Sequence, residues 1–262
     1  PYLDQSSIDV LQQGLIDADA MVRLASVSAL EGLPQAMMVQ LAFPLLDDPA
    51  MMVRIEAARL LAPVPVGQLE DEQLAIYESA GNEYVRSQQA NADRPEAQLN
   101  LGNFYLAKQQ LETAEVSYNK AIMLDDAFVP AYINLADLHR LKKDDVMAEK
   151  VLRKAIAVAH DSADANYALG LSLIRQQKSS EAIGFLRRAA GFDSSNAHYV
   201  YVYAVALNST GSSSLAIDVL QDAQGRFPQD RDILNALIAF HRDTGNEFAA
   251  QTYMKKLQKL NR

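Results

Sequence analysis

Residues 97–125 read AQLNLGNFYLAKQQLETAEVSYNKAIMLD, and the alanine at their centre, Ala114, returns as Ala148, Ala182, Ala216 and Ala250 at a strict 34-residue interval. Other places keep the same step. Leu101, Leu135, Leu169, Tyr203 and Leu237 hold one apolar place, each followed by Gly102, Ala136, Gly170, Ala204 or Ile238. Three residues on stand Tyr105, His139, Leu173, Leu207 and His241. Four residues beyond each periodic alanine comes Tyr118, Leu152, Leu186, Leu220 or Met254, and three further on Ala121, Ala155, Ala189, Ala223 or Leu257. Spacings of three, four and seven put these groups on the buried faces of two consecutive helices. Two antiparallel helices joined by a short turn approach closely only where one offers Gly or Ala, with a large residue filling the gap beside it. Each unit is therefore a helix pair.

A 34-residue period with small residues at its eighth and twentieth places resembles the tetratricopeptide repeat. The resemblance implies an all-α fold, an α-solenoid in which antiparallel helix pairs stack into a right-handed superhelix. It sets five repeats at 95–128, 129–162, 163–196, 197–230 and 231–262. Tyr203 departs from the usual Leu, Ile238 from the usual small residue, and the proline that often closes a repeat stands only at Pro228. With Ile238 and Leu257 in small-residue places, the fifth repeat reads as a terminal capping unit.

Residues 1–65 follow another rhythm. DADAMVRLASVSAL from Asp17 and DPAMMVRIEAARLL from Asp48 align at a 31-residue offset, with Val22-Arg23 over Val53-Arg54 and Leu24 over Ile55. An aspartate six residues before an arginine, ahead of an amphipathic helix, resembles the HEAT or PBS-type helical repeat. There the aspartate is expected to cap the helix and the arginine to tie neighbouring turns. Ala62-Pro63-Val64-Pro65-Val66-Gly67 breaks helix twice and marks a boundary. After it, Glu70-Asp71-Glu72 opens a helix running to about Ala90. Ala80, Tyr84 and Ser87 lie one interval before repeat one, so residues 66–94 read as a half repeat joining the two arrays.

The 262 residues are 49% hydrophobic and 22% charged, ample for a packed core. A net charge of −9 argues against nucleic acid or an anionic membrane as partner. MKKLQKLNR at the end follows helical spacing and reads as a solvated last turn, and no apolar run is long enough for membrane insertion. The absence of cysteine excludes disulfides, zinc–thiolate sites and thiol catalysis from this segment. The opening Pro-Tyr-Leu-Asp points to a processed protein or a piece of a longer one.

No phosphate-binding glycine loop, nucleophile elbow or zinc-binding helix motif occurs, so the chain reads as a non-enzyme without metal or cofactor in this segment. His139 and His241 replace the repeat's core residue two units or more apart and cannot share a metal. His160 and His198 read as core or surface residues. Asp47-Asp48, Asp125-Asp126 and Asp144-Asp145 fall in turns, where aspartate caps or is solvated. Asn208-Ser209-Thr210 fits a glycosylation acceptor, of consequence only in a eukaryotic secretory setting.

Tetratricopeptide proteins line their concave face chiefly from the first helix of each pair, and the resemblance carries that face onto particular residues here. Repeat one gives Leu99, Asn103 and Leu106, with Glu96 and Asn100; repeat two gives Ile133, Asn134, Asp137 and Arg140. Repeat three gives Tyr167, Leu171 and Ile174, with Asp164; repeat four gives His198, Tyr201, Val205 and Asn208. Asn235 and Arg242, with Asp232, complete the set from repeat five. Amides can hold the backbone of an extended peptide while apolar pockets take alternate side chains. Tyr167 and Tyr201 serve either that contact or packing between helices. Chaperone-binding members use a basic clamp, whereas the corresponding places here read Leu99, Asn103, Asn134, Asp164 and Ala168, which argues against that ligand.

The implied function is a scaffold that binds a protein or peptide partner in the groove. The order of HEAT-like repeats, ANADRPEA and tetratricopeptide repeats also resembles the C-terminal region of bacterial multihaem c-type cytochromes. That resemblance implies the docking module of an exported, periplasmic electron-transfer protein whose haem part lies upstream. Otherwise the compartment is cytoplasmic. A third expectation is an accessory domain for cell-envelope assembly or a glycosyltransferase.

Overall fold

Each periodic alanine lies at the bottom of a helix–helix seam: Ala114, Ala148, Ala182, Ala216 and Ala250 are all 0% exposed. The chain is seen in a computed structural model that describes residues 5–260, which are helical throughout with no strand among them. Two compact units divide between Asp125 and Asp126.

The first unit holds α1 (Gln5–Leu15), α2 (Ala20–Ala29), α3 (Gln35–Ala42), α4 (Met51–Leu61), α5 (Asp71–Gln89), α6 (Pro95–Ala107) and α7 (Leu111–Leu124). Its 31-residue repetition is a geometry as well as a pattern. Arg23 Nη1 donates to the Asp17 carbonyl at 2.7 Å, and Arg54 Nη1 to the Asp48 carbonyl at 2.6 Å. The arginines therefore tie the turn to the helix, as expected. The aspartates do something other than cap. Asp17 accepts from the Asp19 N–H and Asp48 from the Ala50 N–H, each bracing the residue that begins the helix, while the cap of α2 is Asp19. Asp48 is moreover buried and receives both Nε and Nη2 of Arg23, at 2.7 and 2.8 Å. That fork holds its carboxyl below the usual range, and a hydrogen bond from Ala50 adds to it. Arg54 repeats the fork one helix later on Glu83 of α5, at 2.8 and 3.0 Å.

The double-proline break ends α4, and the Gln73 side chain accepts from the Glu70 N–H at 3.1 Å as α5 starts. Tyr77 reaches back to donate to the Ala62 carbonyl, and Tyr84 stacks on Phe104 with ring centroids 4.5 Å apart. These contacts fuse α5 to the helices on either side, in one core from Leu15 to Phe104.

The second unit holds α8 (Val129–Leu141), α9 (Asp145–Val158), α10 (Ala163–Arg175), α11 (Ser179–Phe192), α12 (Ala197–Ser209), α13 (Ser213–Arg226), α14 (Arg231–Asp243) and α15 (Glu247–Lys259). It and the α6–α7 pair share one packing rule. A Cβ built on Gly102 would lie 2.3 Å from Tyr118 Cε1, and one on Gly170 would lie 2.6 Å from Leu186 Cδ2. Glycine is required there because the large residue of the second helix sits against the backbone of the first. In α15, by contrast, Met254 and Leu257 are only half-buried.

Two features of these pairs have no counterpart in the sequence. The turn inside each pair contains a left-handed residue at the same interval: Gln109, Lys143, Gln177, Gly211 and Gly245, with φ of 58°, 61°, 60°, 86° and 77°. The next N–H then reaches the carbonyl five residues back, as Gln110 to Tyr105 and Ser212 to Leu207, closing a Schellman cap. At the fourth place of three repeats, chemically different side chains perform one task. Gln98 donates to the Ala92 carbonyl, Tyr132 to Asp126 and Asn166 to His160, each six residues upstream. They hold the entering turn against its helix. His241, at the core place of its repeat, is buried against the Tyr253 ring with Nε2 3.4 Å from Gln221.

Candidate partner-binding surface

None of the sixteen expected groove residues is buried. Asn103, Asp137, Arg140, His198, Val205, Asn235 and Arg242 are exposed; Leu99, Leu106, Ile133, Asn134, Tyr167, Leu171, Ile174, Tyr201 and Asn208 are half-buried. Within the second unit, α10, α12 and α14 each pack one flank against the helix pair before them, so the groups along the edge of that contact are half-buried.

The structure brings four of them together. Ile133 and Asp137 on α8 and Tyr167 and Leu171 on α10 line a cleft of about 320 Å³ with Ala136, Leu152, Asp164, Ala168 and Arg175. Its floor is aliphatic because the small residues Ala136 and Ala168 open space above Leu152. Its rim is charged but internally matched. Arg140 Nε bonds Asp137 at 3.0 Å, Arg175 lies 3.5 Å from Asp145, and Asp164 accepts the Tyr199 hydroxyl. Burial, reinforced by the Asp164 carboxylate, pushes the Tyr199 hydroxyl above its usual range, so it stays a proton donor at neutral pH. Tyr167 donates to or accepts from His198 Nε2 at 2.8 Å, and its ring lies 4.7 Å from that of Tyr199. Burial raises the Tyr167 hydroxyl as well. Arg175 lines the cleft and was missed in the sequence, since it does not stand at a place the resemblance assigns to the groove, while Tyr199 is buried behind the rim and holds Asp164 from there.

The other residues are dispersed. Tyr201 and Ile174 pack their inner sides on the core of α12 and α13. Asn103 accepts from the Tyr118 hydroxyl at 2.9 Å and, with Arg59, Tyr84 and Asn100, lines a separate cleft of about 560 Å³ in the first unit. Arg242 contacts Met254 Sδ at 3.0 Å. Among the described residues no helix is long and apolar enough to cross a membrane.

Comparison with known proteins follows the same seam. Residues 95–128 and 147–197 each match a model of the tetratricopeptide repeat. The chain carries tetratricopeptide repeats. A curated relative, the E3 ubiquitin-protein ligase CHIP of Arabidopsis thaliana, is 37% identical over 89 residues, 34% of this chain and 32% of that protein. The match thus spans about a third of the plant ligase. Among solved structures, MamA superposes with a TM-score of 0.54 at 21% identity, covering 62% of this chain and 94% of its own. YrrB, described as a tetratricopeptide protein with an unusual peptide-binding site, gives a TM-score of 0.52 at 19% identity over 67% of this chain and 90% of its own. These likenesses show the solenoid-like all-α fold. Repeats of this kind are in general non-enzymatic modules of protein–protein interaction.

Proposed function

We propose that this chain is a non-enzymatic scaffold whose α8, α10 and α12 hold an extended segment of a protein partner. One observation carries the reading: four residues assigned to the groove from their repeat places, Ile133, Asp137, Tyr167 and Leu171, converge on one aliphatic-floored cleft. A floor of that kind takes an apolar side chain of the bound segment, and the hydroxyls and carboxylates around it offer partners for the neighbouring backbone N–H groups. The peptide-binding description of YrrB, a structural neighbour, agrees with this reading.

Peptides selected from a random library on the intact chain test it. Leu171→Gln is expected to weaken the selected peptides by about tenfold, the loss that about 1.4 kcal/mol produces. Val146→Gln, an exposed change outside the cleft, leaves their affinity unchanged. Equal binding by wild type and Leu171→Gln, with an unaltered helical CD spectrum, refutes the reading.

A further inference from the structure

The two 31-residue units at the start of the chain have the same sequence plan and the same turn geometry, yet opposite exposure on one side. Asp48 is 7% exposed and holds the guanidinium of Arg23 in its fork, whereas its equivalent Asp17 is exposed and accepts only the Asp19 N–H. Val53 is 0% exposed and its equivalent Val22 is 41%. Val10 and Ile16, on and just after α1, are 67% and 83% exposed. The residues that face the following unit behave alike in both: Leu30 and Leu61 are each 0% exposed, and Arg23 and Arg54 each reach forward to a carboxylate on a later helix. The arginine of each unit thus pairs with an acid on a later helix, and the Asp17 carboxylate is an acceptor of that kind that no arginine forks among the described residues, Arg23 of its own unit lying on its carbonyl instead.

An outer end of a helical array presents a polar face to water. The α1–α2 face presents valine, isoleucine and an acid whose equivalent is elsewhere enclosed. From this we infer that the α1–α2 face is an internal interface of a longer array. It receives a further helix of the same 31-residue class, carried on this polypeptide ahead of α1 and paired with it as α2 is with α3, which lays its arginine on Asp17 and covers Val22. The existing contact between α2 and α4 is the template: burial of a valine at the start of the helix, and a two-pronged arginine–aspartate bond beside it. A second copy of this chain does not supply the missing group, since both of its equivalent arginines are already engaged.

The sequence has no cysteine, so Val22→Cys is a single reporter within it. Alkylation at residue 22, resolved by peptide mass spectrometry, is compared between this chain and the polypeptide that its gene encodes. Rapid labelling of the chain and labelling slowed by about tenfold or more in the gene-length protein are expected, since protection tracks the cost of opening the interface. Val53→Cys marks the slow limit in both. Asp17→Asn, an exposed change, is expected to leave the thermal midpoint of this chain unaltered and to lower that of the gene-length protein. Equal labelling at residue 22 in the two proteins overturns the inference, including the case where the gene encodes nothing ahead of α1. So does protection at residue 22 with Asp17→Asn silent in the gene-length protein, because the cover would then lack the arginine.

Discussion

Gly102→Ala is expected to destabilise the chain although alanine is the better helix former. A Cβ at that position would lie 2.3, 2.5 and 3.0 Å from three atoms of the Tyr118 ring. The nearest approach is about 1.2 Å inside ordinary carbon–carbon contact. The ring has no room to retreat, being 0% exposed and tethered through its hydroxyl to Asn103 at 2.9 Å. Overpacking of this kind costs about 1–3 kcal/mol, and a contact this short on a fixed ring belongs in the upper half of that range. Replacing a helical glycine with alanine returns about 1 kcal/mol, leaving a net loss of about 1–2 kcal/mol. The control is Gly184→Ala in α11, where a new Cβ meets nothing within 4 Å. There the propensity term acts alone, and a gain of about 0.5–1 kcal/mol follows. Repeat two already contains the alternative pairing, Ala136 with Leu152, so Tyr118→Leu is expected to rescue Gly102→Ala. In a double-mutant cycle the two changes should then couple favourably by about 1–3 kcal/mol. Urea unfolding followed by helical CD, with the slope constant across variants, measures all four quantities. If Gly102→Ala proves as stable as Gly184→Ala, the close approach of α6 and α7 is not what demands glycine, and the packing seam is misread.

Gln177→Gly should stabilise the turn between α10 and α11, because an L-residue in the left-handed region costs about 1–2 kcal/mol and the added freedom of glycine in the unfolded chain returns only part of it. A rise in thermal midpoint of about 2 °C is expected, and a fall refutes the assigned cap. Glu149 accepts from Lys178 at 2.7 Å and from Arg153 at 2.8 Å, and these bonds, Lys178 first, hold its carboxyl down at about 2. A carboxylate lowered by folding stabilises above the unfolded value of about 4.3 and loses that contribution as pH falls through the folded value. Glu149→Gln should therefore melt below wild type at neutral pH and converge with it near pH 2; parallel curves throughout would refute the pairing. Asp48→Asn should lower the midpoint of this chain and Asp17→Asn should not, since only Asp48 is enclosed with an arginine.

The small-residue seam was legible because close helix packing tolerates only Gly or Ala, and five copies expose the constraint. The left-handed turn was not read from the sequence at any of its five places, Gly211 and Gly245 included. Gln109, Lys143 and Gln177 adopt the same left-handed conformation with no sequence mark, since surrounding packing imposes it on whatever residue stands there. The carbonyl clamp by Gln98, Tyr132 and Asn166 escaped notice because amide and phenol look unrelated until their shared acceptor is seen. In the N-terminal repeats the arginine's tie to its turn was anticipated, and the aspartate's pairing with the preceding unit was not. The tie spans six residues, whereas Arg23 and Asp48 stand 25 apart in the chain.

The sequence by itself determined the helical periods, the places where backbones approach and the absence of thiol chemistry in this segment. Those properties repeat, and repetition is visible without coordinates. Which of the flank residues share a cleft, that Arg175 completes it, and that Asp17 and Asp48 differ in burial were decided only by tertiary structure. Each depends on how neighbouring helix pairs meet, and a residue's own repeat place is silent about what the adjoining pair brings to it.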